Sequence, residues 1–172
     1  MAEDVETTED GRWIAVGGRR WRATDPSIPE PLRQELVDEL MDARRAVGAA
    51  KRADDDAAEA RARARVHHAK VALGERGQPW WEEPEPEARR ARLRAAVLAL
   101  SERRAPDKTI CPSDAARAVG GEAWRSLMDE ARDVARQLAV EGEVQVSQKG
   151  VPLDPAGEWR GPIRVRRRPA PG

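Results

Sequence analysis

The side chains with the clearest chemistry are arginines laid out to meet phosphate. Arg125, Arg132 and Arg136 recur along one helical stretch. Lys149, Arg160, Arg164, Arg166, Arg167 and Arg168 follow in a β-rich segment whose acids are Asp154 and Glu158, a net of +4. Guanidinium groups bind phosphate through paired N–H donors, and such backbone contacts carry much of a protein's affinity for duplex DNA. Arg125, Arg132, Arg136, Lys149, Arg160, Arg164 and Arg166 are therefore the candidate nucleic-acid contacts. The helical stretch also holds Asp129, Glu130 and Asp133. These oppose phosphate and make the face equally suited to a protein partner. The basic strands have a second reading as a solvated sheet edge kept from aggregating by its charge.

Other reactive residue types are sparse. Arg89, Arg90, Arg92 and Arg94 sit early in a further helix, where the dipole disfavours cations. They point either to an anionic contact or to arginine-rich composition alone. Cys111 is the single cysteine, so no intrachain disulfide exists. Its place beside Ile110 fits a buried small hydrophobe. As a nucleophile it would need a nearby base, and the two histidines, His67 and His68, lie in the other half. Adjacent helical residues point about 100° apart, so this pair does not chelate a metal. Trp80 and Trp81, beside Pro79, are candidate partner-binding anchors, with folding back over a small core as the alternative. No phosphate loop, dinucleotide fingerprint or nucleophile elbow is present. No catalytic residue, metal, cofactor or small-molecule ligand is expected, and the chain does not read as an enzyme.

A helix-turn-helix followed by a β-ribbon would position the candidate cations. Leu93, Ala96, Val97 and Leu100 mark the inner face of a helix that stops near Ala105-Pro106. Thr109-Ile110-Cys111 is a short β segment, residues 112–119 a second helix, and Gly120-Gly121 a break. A long amphipathic helix is expected over 122–139, with Trp124, Leu127, Met128, Ala131, Val134, Ala135 and Leu138 as its core stripe. Glu141-Gly142 ends it, and strands at 143–147 and 163–166 close the unit. Alternation turns Val144, Val146, Ile163 and Val165 inward and Arg164 and Arg166 outward. The loop 150–161 offers Trp159-Arg160 as a tip.

The first half reads differently. Residues 1–10 are acidic and expected to be a disordered tail. Arg12 to Ala23 reads as a β-hairpin turning at Gly17-Gly18. That register pairs Val16 with Arg19, Ala15 with Arg20, Ile14 with Trp21 and Trp13 with Arg22, the last as a cation–π contact. Ser27 and Glu30 resemble a capping box. Leu32, Leu36, Leu40, Ala43 and Val47 form one helical stripe. Gly48 and Asp54-Asp55-Asp56 mark a break. Ala58, Ala62, Val66, Ala69 and Leu73 form a second stripe, ending at Gly74 and Gly77. An antiparallel helical hairpin follows, with one long bent helix as the competing arrangement. Glu83-Pro84-Glu85-Pro86-Glu87 is the linker.

The fold class is thus mainly α with small β elements (α+β): a β-hairpin plus helical hairpin over 11–82, a linker at 83–87, a winged helix-turn-helix over 88–168 and a tail at 169–172. The chain has 172 residues, with 31 basic and 31 acidic side chains. This balance gives no global pull toward nucleic acid or membrane. Arginine outnumbers lysine 27 to 4, which points to a high-GC bacterial genome. The N-terminus lacks the basic and apolar regions of a signal peptide, and no run reaches the roughly 20 apolar residues of a membrane span. A cytoplasmic protein is expected.

Residues 108–121, Lys-Thr-Ile-Cys-Pro-Ser-Asp-Ala-Ala-Arg-Ala-Val-Gly-Gly, resemble the signature of a bacterial family of unknown function. So do Trp124-Arg125, Val146-Ser147-Gln148-Lys149-Gly150 and Gly161-Pro162-Ile163-Arg164. The resemblance spans about residues 85–168 and implies a small winged-helix-like domain. It brings no activity or site residues. Gly11-Arg12-Trp13-Ile14, Ala23-Thr24-Asp25-Pro26-Ser27 and Ala72-Leu73-Gly74-Glu75-Arg76-Gly77 resemble short bacterial proteins sometimes labelled "biopolymer transporter Tol". The expected function is nucleic-acid binding or regulation on duplex DNA through the long helix and wing. The alternative is a protein-interaction or scaffold module, through a partner or self-association.

Overall fold

The structure, a computed structural model, describes residues 5–169. The parts of the expected tails at 1–4 and 170–172 lie outside the described residues. Helices dominate, with two small antiparallel three-stranded sheets, so the fold is α+β.

The first sheet has the order β1 (Glu6–Thr7), β2 (Trp13–Val16), β3 (Arg19–Arg22). The β2–β3 register is the expected one, from Val16 opposite Arg19 to Trp13 opposite Arg22. Gly17 and Gly18 take φ of 56° and 74°, as a two-residue turn of this kind requires. Two expectations fail here. Within the supposed disordered tail, Glu6 and Thr7 pair with Ala15 and Ile14, because a two-stranded ribbon leaves an edge that a third strand can satisfy. The guanidinium over the Trp13 ring is that of Arg20, 5.0 Å from its centroid, not Arg22. Arg22 instead donates to the Gly77 and Gly74 carbonyls at 2.8 and 3.4 Å.

Helix α1 (Glu30–Arg52) runs straight through Gly48 and ends at the acidic triplet. Asp55 then caps α2 (Asp56–Ala72), its carboxylate accepting from the Ala58 N–H at 3.0 Å. The short turn folds α2 back along α1, so the chain forms a helical hairpin and not one bent helix. The expected Ser27–Glu30 capping box is absent. Both the N–H and the hydroxyl of Ser27 go to Asp25 at 2.9 and 2.7 Å, while Glu30 pairs with Arg33. Asp25 is nearer in sequence and already buried, so it takes the donors first.

Helix α3 (Pro86–Arg104) starts inside the expected linker. Proline without an N–H suits a first helical turn. Ile110 then bridges Val165 and leads into α4 (Pro112–Gly120). The long helix expected over 122–139 is divided: Gly121–Leu127 is a 3-10 segment and α5 covers Met128–Val140. Three residues per turn stack Trp124 above Leu127 on one side, and both pack on the core. A four-residue step to Ala131 then resumes the α period. Strands β4 (Val144–Gln148), β5 (Val151–Pro152) and β6 (Arg164–Arg167) form the second sheet in the order β5-β4-β6. Val144, Val146, Ile163 and Val165 are buried, while Arg164 and Arg166 point outward as alternation requires.

One apolar cluster runs from Ile28 and Leu32 through Leu73, Leu93 and Leu100 to Leu138 and Val165. Both halves of the chain therefore share a core. Alanines and leucines fill it, and none of the six tryptophans is fully buried. Ion pairs lace its rim. Glu39 of α1, only 1% exposed, meets Arg65 of α2 at 2.7 Å, and burial raises its pKa. Arg104 of α3 joins Glu35 of α1 at 2.8 Å and Asp114 of α4 at 3.0 Å. No helix among the described residues is long and apolar enough to cross a membrane.

Candidate functional site

The expected cations divide by what their guanidiniums already hold. Arg132 donates to the carbonyls of Gly161 and Trp159, both at 3.0 Å. Arg136 donates to those of Pro155 and Gly157 at 2.5 and 2.7 Å, and lies 4.0 Å from the Trp159 ring centroid. Arg164 donates to the hydroxyl and carbonyl of Thr109 at 2.8 and 3.0 Å. These three were expected to face a ligand. Arg132 and Arg136 are instead turned onto the protein because the loop between β5 and β6 has carbonyls that no strand satisfies, and a five-donor fork reaches several at once, while Arg164, outward on β6, is tied to Thr109 ahead of α4. The loop is thereby fixed against the flank of α5.

Two acids of α5 and Glu141 just beyond its end face the other way, while Asp129 has no cationic partner among the described residues. Glu130 meets Arg89 at 2.8 Å, Asp133 meets Arg90 at 2.8 Å, and Glu141 meets Arg94 at 2.5 Å. The early arginines of α3 are therefore neutralised by carboxylates of its neighbour, which answers their adverse place in the dipole. Arg92 goes elsewhere, to Asp25 at 2.8 Å.

Four of the expected cations keep open sites. Arg125, Lys149, Arg160 and Arg166 are exposed; among the described residues the first, second and fourth have no carboxylate partner, and Arg160, 92% exposed on its side chain, has only Glu158 at 3.4 Å. Sequence reasoning missed Arg117. Its guanidinium lies 4.5 Å from the Trp124 ring centroid, and that of Arg125 lies 4.6 Å from it. The signal was present as Arg117 and Trp124 flanking the double glycine, but a tryptophan on a core stripe was not read as a platform for cations.

Trp80 and Trp81 fold back. The Trp80 indole N–H donates to the Ala23 carbonyl at 3.0 Å, and Trp81 meets Trp80 and Trp13 edge-on, with centroids 5.2 and 5.6 Å apart. They brace the first sheet instead of standing free, since the small hairpin offers little else to cover it. Cys111 is half-buried, not fully buried as expected. It is the N-cap of α4, where the chain must leave the core, and its N–H donates to the Asp114 carboxylate at 2.9 Å. Among the described residues no group of three or more His, Cys, Asp or Glu could hold a metal ion.

A groove of about 730 Å³ lies between the first half and the segment that follows α4. Trp80, His68 and Val71 line one side, Ala91 and Ala95 the floor, and Ala123 and Leu127 the far side. The size suits a ligand or an inserted side chain. Its polar rim is largely spent on the protein itself, as in Asp25 with Arg92 and Ser27.

His68 titrates abnormally, its pKa pushed down to about 4, first by burial and then by His67, Arg167 and Arg94. The folded chain then binds this proton less readily than the unfolded chain, whose ordinary value is 6.5. The stabilisation is full above pH 6.5 and is lost as pH falls toward 4. About 2 kcal/mol is expected after allowing for the exposed edge of the ring. His68→Gln should therefore lose less stability than the parent between pH 6.5 and 4 in urea melts. Parallel losses in the two proteins would refute this assignment.

Residues 90–168 match the model of a family described as "Protein of unknown function (DUF3253)". The matched segment runs from the first turns of α3 to just beyond β6. No curated protein matches the chain.

Proposed function

We propose that this chain is a nucleic-acid-binding protein of the winged helix-turn-helix kind. It would hold duplex backbone through Arg117, Arg125, Lys149, Arg160 and Arg166. The observation that carries the proposal is the pair of exposed guanidiniums on Trp124, at the helix-turn-helix, with no carboxylate partner among the described residues. The element order supports it: α3, the Ile110 bridge, α4, the 3-10 segment with α5, then a β-ribbon. Arg132, Arg136 and Arg164 shape the wing in this reading, and phosphate contact falls to the free cations. α5 does not read bases in this proposal, since Glu130, Arg132, Asp133 and Arg136 are occupied within the protein. It is a binding protein without catalysis.

Duplex binding by the full chain, measured by anisotropy at two salt concentrations, tests this. Arg117→Glu/Arg125→Glu should weaken binding on the order of 10- to 100-fold at low salt and reduce the salt slope by about 2. Unchanged affinity in a folded double variant would sink the proposal.

One observation favours a protein partner instead. The glycine turn lies against the first half of the chain: a Cβ on Gly121 would sit 3.3 Å from the Ser27 carbonyl. A duplex approaching that turn meets Ser27, whereas the adjoining groove is open to a side chain. Absence of salt-sensitive duplex binding, with a partner recovered on purified protein and lost on filling the groove by Ala95→Trp, would support that reading.

A further inference from the structure

The free cations of the first half are not scattered. On the first sheet, strand alternation puts Ile14, Val16, Arg19 and Trp21 on one face and Trp13, Ala15, Arg20 and Arg22 on the other. The second face is closed by Trp81, with Trp13 at 5.6 Å and Arg12 and Arg22 at 5.1 and 5.8 Å. The first is open. Trp21 is 43% exposed, and its partner there is Lys70 of α2, whose Nζ lies 5.0 Å from the ring centroid.

Lys70 leads to a hollow. Between α1 and α2, Arg44, Arg63 and Arg76 with Val47 and Val66 enclose about 300 Å³. Arg44 has no carboxylate partner among the described residues, and Arg76 meets only His67 Nδ1, at 3.0 Å. Arg63 pairs with Glu59 at 2.7 Å. Burial lowers the Lys70 pKa, and Arg44 and Arg76 lower it further against the opposing Glu75. Glu75 is itself held by the Thr24 hydroxyl at 2.7 Å. Cations crowded in this way repel one another, and a polyanion would relieve the repulsion.

We propose that this surface, from Trp21 across Lys70 to the hollow of Arg44, Arg63 and Arg76, binds single-stranded nucleic acid. A base lies on the uncovered face of Trp21 and the phosphodiester backbone follows the cations. Single strands pair a basic track with an aromatic platform because every base has a π-face. A duplex keeps its bases stacked inside and cannot use the indole. An acidic peptide would use the cations and leave Trp21 idle. Arg76 also lines the groove that reaches Ala123 and Leu127, but Trp21, Lys70, Arg44 and Arg63 do not, so variants at these four separate the two readings.

The test titrates the full chain into a labelled oligothymidylate of about a dozen nucleotides, enough to span the track. Arg44→Glu/Arg76→Glu should weaken binding on the order of 10- to 100-fold at about 50 mM salt. Trp21→Ala should weaken it about 10-fold. Lys108→Gln, at an exposed cation outside both proposed tracks, should leave it unchanged. Melting curves check folding, and Arg44→Gln replaces the double reversal where that variant melts early. Three results would overturn the proposal: no salt-sensitive binding by the parent, no effect of Trp21→Ala, or equal competition by a polyglutamate peptide. Loss in Arg125→Glu with no loss in the Arg44 variants would overturn it too, by moving the strand to the helix-turn-helix.

Discussion

Asp25→Ala is expected to remove about 3–5 kcal/mol of stability, the usual result of breaking a buried ion pair from one side. Its side chain is 6% exposed and that of Arg92 is 15% exposed. The loss exceeds one salt bridge. The same carboxylate accepts the Ser27 N–H and hydroxyl, while the Asp25 N–H donates to the Leu73 carbonyl at 2.9 Å. Arg92 also donates to the Ala72 carbonyl at 3.3 Å. Asp25 therefore joins the end of α2, the loop before α1 and the face of α3. Urea denaturation followed by far-UV circular dichroism reads the loss. Because each single variant strands a buried charge, Asp25→Ala/Arg92→Ala should cost less than the sum of its parts. A loss below about 1 kcal/mol in Asp25→Ala would show that water replaces the carboxylate.

Gly121→Ala should cost about 2–3 kcal/mol, and Gly120→Ala far less, although the two glycines are neighbours. Gly121 has φ 53° and ψ −126°, a region that side-chain-bearing residues avoid. Its Cβ would also meet the Ser27 carbonyl, which is backbone and cannot yield cheaply. At Gly120 the backbone is ordinary, with φ −98°. A Cβ there meets Leu127 Cδ1 at 2.8 Å, the far end of a side chain that can turn away. Thermal melts of the two variants decide this. Equal melting temperatures would mean that the turn is not held in its conformation by the packing around Ser27.

Local signals carried much of the fold. The hairpin register followed from Gly17-Gly18 and alternation, and the break between α1 and α2 from three aspartates with a helix dipole to serve. The inward valines of the second sheet followed from period two. Most of the failures share a cause: distance along the chain. Arg132 and Arg136 read as free because their partners are loop carbonyls, and a carbonyl belongs to every residue and so leaves no mark in sequence. Arg89, Arg90 and Arg94 looked like an anion site because Glu130, Asp133 and Glu141 lie 41 to 47 positions away. The capping box failed to a nearer competitor, Asp25. Of the candidate site, the exposure of Lys149, Arg160 and Arg166 around the second sheet was legible, whereas the Arg117–Trp124–Arg125 cluster depended on a tertiary turn.

Keeping every indole at the rim of the core has a spectroscopic consequence. Tryptophan emission shifts to the red when the ring passes from apolar surroundings to water. Here Trp21 is exposed and the other five rings are only partly buried when the chain is folded, so unfolding shifts their emission less than it would for rings sealed in the core. Intrinsic fluorescence should be a weak gauge of denaturation and a sensitive gauge of anything that covers the surface. Trp159 watches the loop between β5 and β6, Trp124 the turn after α4 and Trp21 the open sheet face, each without a label.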